Sequence, residues 1–367
     1  MQAEMILGAF TPLTWSAAAQ VIMLGFIGGV LSGFIGSGGA FFMTPGMMNL
    51  GVLGPIAVGS NITHKFGKAI IGSRRHGQLG HVDRKLSLFM LITAAVGIRL
   101  AVWAMTLMSK GGGDSHGGGQ GAEANLYISV VFVVSLSIVS LSMLHDIIRS
   151  RRQEVAGPSR RLIEFFGQFR LHPMIYFPVS DVKVSLWVVL SCGLATGYLA
   201  GTIGVGGFIG VPAMIYMFGV PTQVAAGTEL YLAIFMGAFG ALNYAFEGMV
   251  DIRLTMLLFA GSLVGIHIGT YGTKVVREVV IRLATAIIIL LCVVSRLVAT
   301  PIYLRQLGFL RIPQSADALL NGISKALLYA SGISGAIVIL FFVFRAYLER
   351  KKIQESLAVG KAARAVT

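Results

Sequence analysis

A few polar residues interrupt the apolar runs of this chain where their types and spacing could handle an anion. Asn61, His64, Lys65 and Lys68 fall at i, i+3, i+4 and i+7, one face of a helix. Charge held in lipid is costly, so such a face should line protein or water, and Lys65 or His64 could attract an anion. Snorkelling to the cytoplasmic surface competes with this reading on equal terms for Lys65 and is favoured for Lys68. Further along, Glu229 lies beside Thr228 in another apolar segment. Its carboxyl could carry a proton, because burial disfavours the charged form, or it could pair with Lys65 or Arg99. Arg99 and His267 lie mid-segment in apolar surroundings, each a candidate substrate contact or a structural hydrogen-bonding group.

Two glycine clusters complete the candidate set: Gly36-Ser37-Gly38-Gly39 and Gly204-Val205-Gly206-Gly207. A break inside a membrane segment exposes backbone N–H groups, which is tolerated at depth only inside protein or at a polar cavity. A half-helix that starts there aims its positive dipole end into the cavity. Two such breaks would hold an anion near the midplane with little full positive charge. The alternative use of the glycines is close helix packing, which the GxxxG spacing of Gly25, Gly29 and Gly33 suits. The chain has no HExxH, no GxSxG and no cluster of His, Asp and Glu. An enzyme, a metal site or a cofactor is therefore not expected. Cys192 and Cys292 sit in apolar segments and read as small buried hydrophobes.

Composition says what must position these groups. Of 367 residues, 55% are hydrophobic and only 12% charged, where a soluble domain has roughly a quarter charged. The formal charge of +14 sits in loops beside apolar runs, the trace of positive-inside topology rather than of a nucleic-acid face. The expected partners are a small anion and the bilayer, not nucleic acid; a homo-oligomer is left open. The first Lys or Arg is Lys65, so no cleavable signal is expected.

The chain repeats itself at an offset of 168 residues, as from Gly33 to Gly201. The glycine clusters match, Gly51-Val52 matches Gly219-Val220, and Gly80, Val82 and Asp83 match Gly248, Val250 and Asp251. Asn61 falls opposite Glu229 and Arg99 opposite His267. Charge does not repeat. Lys65, Lys68, Arg74, Arg75, Arg84 and Lys85 face a matched stretch whose one basic residue is Arg253. Matched segments should then end on opposite sides of the membrane, as in an inverted-topology repeat.

The expected fold is an all-α polytopic membrane protein with two inverted repeats, 15–144 and 184–297, each containing a glycine-broken helix. A basic cytoplasmic connection, 145–183, carries a helix with Leu162, Ile163, Phe165, Phe166 and Phe169 on its apolar side, either an amphipathic helix on an anionic leaflet or a packed linker helix. A linker and an additional C-terminal helix occupy 298–347, and a basic cytoplasmic tail 348–367. The short runs 40–50 and 208–218 cannot span alone, so each is half of a re-entrant hairpin. That leaves about seven full crossings, or more if the first segments span, with the N-terminus outside and the C-terminus inside.

With these residues in view, the chain resembles the sulfite exporter TauE/SafE family of membrane permeases. The likeness rests on the glycine series Gly29, Gly33, Gly36, Gly38, Gly39 and its counterpart Gly197, Gly201, Gly204, Gly206, Gly207. It includes Ala57-Val58-Gly59-Ser60 and Ala225-Ala226-Gly227-Thr228, and the G-x-V-D elements ending at Asp83 and Asp251. Ala40 and Phe208 stand where a third glycine often follows the pair. The resemblance implies a secondary transporter of the bacterial inner membrane that exports sulfite or an organosulfonate, to which the Glu229 carboxyl could add proton coupling. Uptake, a channel for another small carboxylate or sulfonate, and a non-transporting scaffold are the alternatives. The residues then expected at substrate are Gly36, Ser37, Gly38, Gly39, Asn61, His64, Lys65, Gly204, Val205, Gly206, Gly207, Thr228, Arg99 and His267.

Overall fold

The computed structural model describes residues 13–35, 39–111, 121–153, 171–204, 206–276 and 278–365. Among them the first repeat holds α1 (Trp15–Ile35), α2 (Ala40–Asn49), α3 (Gly54–Gln78), α4 (Arg84–Gly111) and α5 (Ala122–Gln153). The second holds α6 (Leu186–Ile203), α7 (Gly207–Tyr216), α8 (Thr222–Phe246), α9 (Ile252–Val275) and α10 (Glu278–Gln306), and α11 (Ser315–Ala365) follows. Eight of these helices are long and apolar enough to cross a bilayer. The protein is thus an all-α polytopic membrane protein. The eight exceed the seven crossings expected because α1 and α6 qualify by length and composition. Helix α3 is as long as α8, at 25 residues, but its cations keep it outside that set.

Each of α1 and α6 is retraced by the short helix that follows it. A Cβ on Gly39 would fall 1.9 Å from the Gly28 carbonyl oxygen, and one on Gly46 would meet the Leu24 side chain. Likewise Gly206 abuts Ala200 and Gly210 abuts Thr196. Each pair is therefore a hairpin. At the second break Gly204 adopts φ +76, a left-handed conformation that glycine reaches without steric cost.

Contacts recur at the 168-residue offset. Gly25 and Gly29 of α1 lie against Leu258 and Ser262 of α9, and Gly193 and Gly197 of α6 against Met90 and Ala94 of α4. A methyl on Gly197 would sit 2.1 Å from the Ala94 oxygen, so the small residues let backbones touch, as in other membrane helix pairs. The central pair, α3 and α8, runs antiparallel. Gly59 packs on Tyr244 and Met249 at one end, and Gly227 on His76 and His81 at the other. Reciprocal side-chain bonds close both ends. The Asp251 amide donates to Ser60 Oγ at 3.0 Å, and the Asp83 amide to Thr228 Oγ1 at 2.9 Å.

Two features depart from the sequence reading. The connection contains an antiparallel hairpin, β1 (Met174–Phe177) with β2 (Val182–Ser185), and β2 reaches into the segment assigned to the second repeat. The Asp83 carboxylate fastens the hairpin, accepting from the Ser180 amide at 3.1 Å and the Ser180 hydroxyl at 2.8 Å. The second departure is α11, which begins at Ser315 and extends to Ala365, running through both the expected linker and the expected tail. The amphipathic segment at Leu162 to Phe169 lies outside the described residues.

Candidate functional site

Both short helices bring their N-terminal ends to the centre of the protein. The Phe41 and Phe208 rings, each within the first two residues of its helix, meet edge to face with centroids 4.6 Å apart. Breaking α6 frees the Ile203 carbonyl, which needs a donor at this depth. Thr44 of α2 supplies it at 3.2 Å. Asn61 then ties the hairpins to α3, donating from Nδ2 to Thr44 Oγ1 at 2.8 Å and to the Ala40 carbonyl at 2.9 Å.

One turn along α3 from Asn61, the Lys65 ammonium reaches across to α8 and lies 3.4 Å from Glu229 Oε1. Side-chain exposure is 9% for Lys65 and 2% for Glu229, so the pair is enclosed by protein. The ammonium also faces Gly206, whose added Cβ would stand 3.4 Å from Nζ. Gly206 caps the N-terminus of α7, the positive end of the helix dipole. Two positive ends therefore converge where a single carboxylate answers them. Asn61 Oδ1, Glu229 Oε2 and Thr196 Oγ1 are buried without hydrogen-bond partners. Gly210 and Thr196 both border the carboxylate side of the cluster. In chemical terms this is a buried polar cluster with a cation, a helix N-terminus, an amide and a carboxyl group.

The sequence candidates separate into groups. Asn61, Lys65, Gly204, Gly206 and Glu229 come together, and Gly207 opens α7 beside them. Gly39 opens α2 against Gly28. His64 points elsewhere, toward α9, with Nε2 2.7 Å from Ser262 Oγ and its ring against Phe259. Lys68 turns to Ser32 of α1 at 2.6 Å, so it does not snorkel to the surface. The expected single polar face is split, because α3 is buried on both sides and each neighbour claims part of it. Thr228 holds the Asp83 amide and is a structural lock. Arg99 and His267 leave the cluster altogether. The Arg99 side chain is 55% exposed and 3.9 Å from Glu247, and His267 is exposed with Nδ1 2.7 Å from the Leu263 carbonyl. Both stand on the outer faces of α4 and α9, whose inner faces are taken by glycine contacts. Gly36, Ser37, Gly38 and Val205 lie outside the described residues.

Sequence reasoning missed Thr44, Thr196 and Arg296. A lone Thr before Pro45 in an apolar decapeptide was the available signal for the first. Arg296 is 1% exposed and donates to Asn49 Oδ1 at 2.8 Å, with its guanidinium 5.8 Å from the Tyr303 ring centroid. It binds the C-terminal end of α2, where helix carbonyls concentrate partial negative charge. Nothing in its apolar sequence context indicated that.

Helices broken in pairs around a buried polar cluster, in a chain of many membrane-length helices, define a membrane transporter. The model of the family described as "Sulfite exporter TauE/SafE" matches residues 21–296, three quarters of the sequence, and the chain belongs to that family. It is 26% identical to the probable membrane transporter protein YjnA of Bacillus subtilis (strain 168), over 69% of this chain and 89% of that one. YunE of the same organism, also a probable membrane transporter protein, is 21% identical over 74% and 94%. A probable membrane transporter protein of Xylella fastidiosa (strain 9a5c) is 26% identical over 70% and 85%. No solved structure matches the chain significantly. The family match stops at Arg296, so α11 lies beyond it.

Proposed function

We propose that the protein is a secondary transporter that exports a small sulfur-containing anion, sulfite or an organosulfonate, together with a proton. The observation that carries this reading is the buried Lys65–Glu229 pair at the N-terminus of α7. In the empty carrier the ammonium and carboxylate neutralise each other. An anion that enters beside Gly206 takes over the Lys65 ammonium and the α7 dipole. Glu229 then loses its partner charge and takes a proton, because an isolated buried carboxylate is costly. For a singly charged anion, hydrogensulfite or an organosulfonate, the cluster keeps its net charge through the exchange, and anion and proton move together without net charge transfer. Flux follows the sum of the two gradients, so export runs while the outward anion gradient exceeds any inward proton gradient. The two hairpins, joined by Thr44 and the Phe41–Phe208 contact, are the elements that would alternately expose the pocket.

The antiparallel packing of α3 on its equivalent α8 supports an inverted repeat. The basic residues at the 65–85 end support placing that end in the cytoplasm of a bacterial inner membrane. The N-terminus is then outside and the C-terminus inside. The test is sulfite flux from proteoliposomes under an imposed pH gradient. Glu229→Gln should remove the pH dependence and spare sulfite binding. Full proton-linked flux in that variant would eliminate the role of Glu229, and wild-type flux no greater than from empty liposomes would eliminate the substrate.

A further inference from the structure

A second site lies on the surface, along the same two helices but beyond the Lys65–Glu229 pair. At the end of α3, a groove of about 590 Å³ opens between α3, α8 and the start of α4. Its lining divides by chemistry. Ile70, Val82, Tyr231 and Ile234 form an apolar wall, and Arg74 and Arg84 stand at its polar end with Gly77 and Gln78. No acidic residue lines it. Among the described residues neither arginine has a carboxylate partner; the ion pairs there engage Lys65, Arg99, Arg253 and Arg305. Two exposed guanidinium groups without a carboxylate partner on one groove can receive an anion from outside the chain.

Position says which anion. Ile70 and Gln78 are eight residues apart on one helix, about 12 Å along its axis. The groove therefore follows the last turns of α3 to the end of the helix. Below its apolar wall the surface stays apolar. Ile71 is 63% exposed, and Phe235, Phe239 and Leu242 make an exposed stripe down α8. Those α8 residues recur at helical spacing from Tyr231, so they share one face. A soluble anion would use the arginines alone. A phospholipid would use everything present: the phosphate on Arg74 and Arg84, the glycerol region on Tyr231, and an acyl chain along the stripe. Arginine pairs with phosphate through its fork of N–H donors, and basic pockets between membrane helices on the cytoplasmic side take anionic headgroups.

We propose that this groove is a binding site for an anionic phospholipid of the cytoplasmic leaflet. The lipid bridges the end of α3 to α8, the two helices that also carry Lys65 and Glu229. Its occupancy does not depend on which anion the carrier moves.

The test is native mass spectrometry of the intact, delipidated protein titrated with dioleoylphosphatidylglycerol, with dioleoylphosphatidylcholine and inorganic phosphate as separate arms. The wild type is expected to bind the phosphatidylglycerol more tightly than the phosphatidylcholine. The double variant Arg74→Gln with Arg84→Gln should weaken the phosphatidylglycerol roughly thirtyfold, from the usual contribution of each basic residue near an anionic surface. Ile234→Trp keeps both arginines and fills the apolar wall. It should weaken lipid binding as well, and it decides the matter if the double variant fails to fold. Equal affinity for the two lipids, or unchanged phosphatidylglycerol binding in the folded variants, overturns the proposal. Inorganic phosphate that competes the lipid away at matched concentration would mean a soluble-anion site and overturns the lipid assignment.

Discussion

A double-mutant cycle on Lys65 and Glu229 tests the centre of the mechanism. Unit charges at 3.4 Å attract by about 5 kcal/mol at an effective dielectric of about 20. Desolvating each ion costs several kcal/mol, so the intact pair is expected to be near break-even against an apolar pair of the same volume. Removing one member is different, since it strands the other. Glu229→Gln leaves an uncompensated buried ammonium and Lys65→Met an uncompensated buried carboxylate, and breaking a buried pair in this way costs about 3–5 kcal/mol. Single variants should therefore lose about 3–5 kcal/mol each. The double variant should lose about 1 kcal/mol or less, which requires a coupling of several kcal/mol. Reversible unfolding in mixed micelles titrated with dodecyl sulfate reads all four proteins. The flux assay run alongside should find the double variant folded but unable to move sulfite. Additive single losses, with coupling below about 0.5 kcal/mol, would mean that the two groups do not share a pocket, and the exchange of Glu229 for an anion would fall with them.

Other expectations follow from the same coordinates. Gly197→Ala should destabilise α6 against α4, by about 1–3 kcal/mol as overpacking, because the new methyl meets backbone at 2.1 Å. Gly77→Ala, where nothing lies within 4 Å, should instead be neutral or gain about 0.5–1 kcal/mol; micelle unfolding compares the two, and equal losses would contradict the packing. Thr228→Val should cost about 1–3 kcal/mol by orphaning the buried Asp83 amide, and Thr228→Ser should recover most of it in the same measurement. The Asp181 carboxylate holds the exposed Tyr176 phenol above its ordinary range by accepting its hydrogen bond. That bond is intact below the ordinary tyrosine value and is lost as pH rises through the raised one, so ultraviolet titration should show one tyrosine shifting down in Asp181→Ala. Sulfite flux should saturate and show counterflow, and linear, unsaturable flux would identify a channel.

Much of the architecture could be read along the chain because lipid imposes strong local rules. A segment must be apolar and long, and broken helices must be sheltered. Apolar runs and glycine clusters therefore pointed to the helical fold and to the breaks at which the short helices turn back. The same rules are silent about direction around a helix axis. His64 and Lys65 are neighbours in sequence, yet one faces Ser262 and the other Glu229. Arg99 and His267 looked like pocket residues because they are polar and mid-helix. They face outward because glycines on the opposite sides of α4 and α9 set which face is buried. Thr44 and Arg296 acquire their roles from partners 159 and 247 residues away, which no local pattern encodes.

The sequence by itself determined that this chain lives in a bilayer, that it consists of two related halves, and that each half interrupts a helix with glycine. These follow from the free energy of placing side chains and backbone in hydrocarbon, residue by residue. Tertiary structure alone decided which charges meet and which look outward. Helix rotation is fixed by packing against neighbours, and that depends on contacts between distant segments summed over the whole bundle.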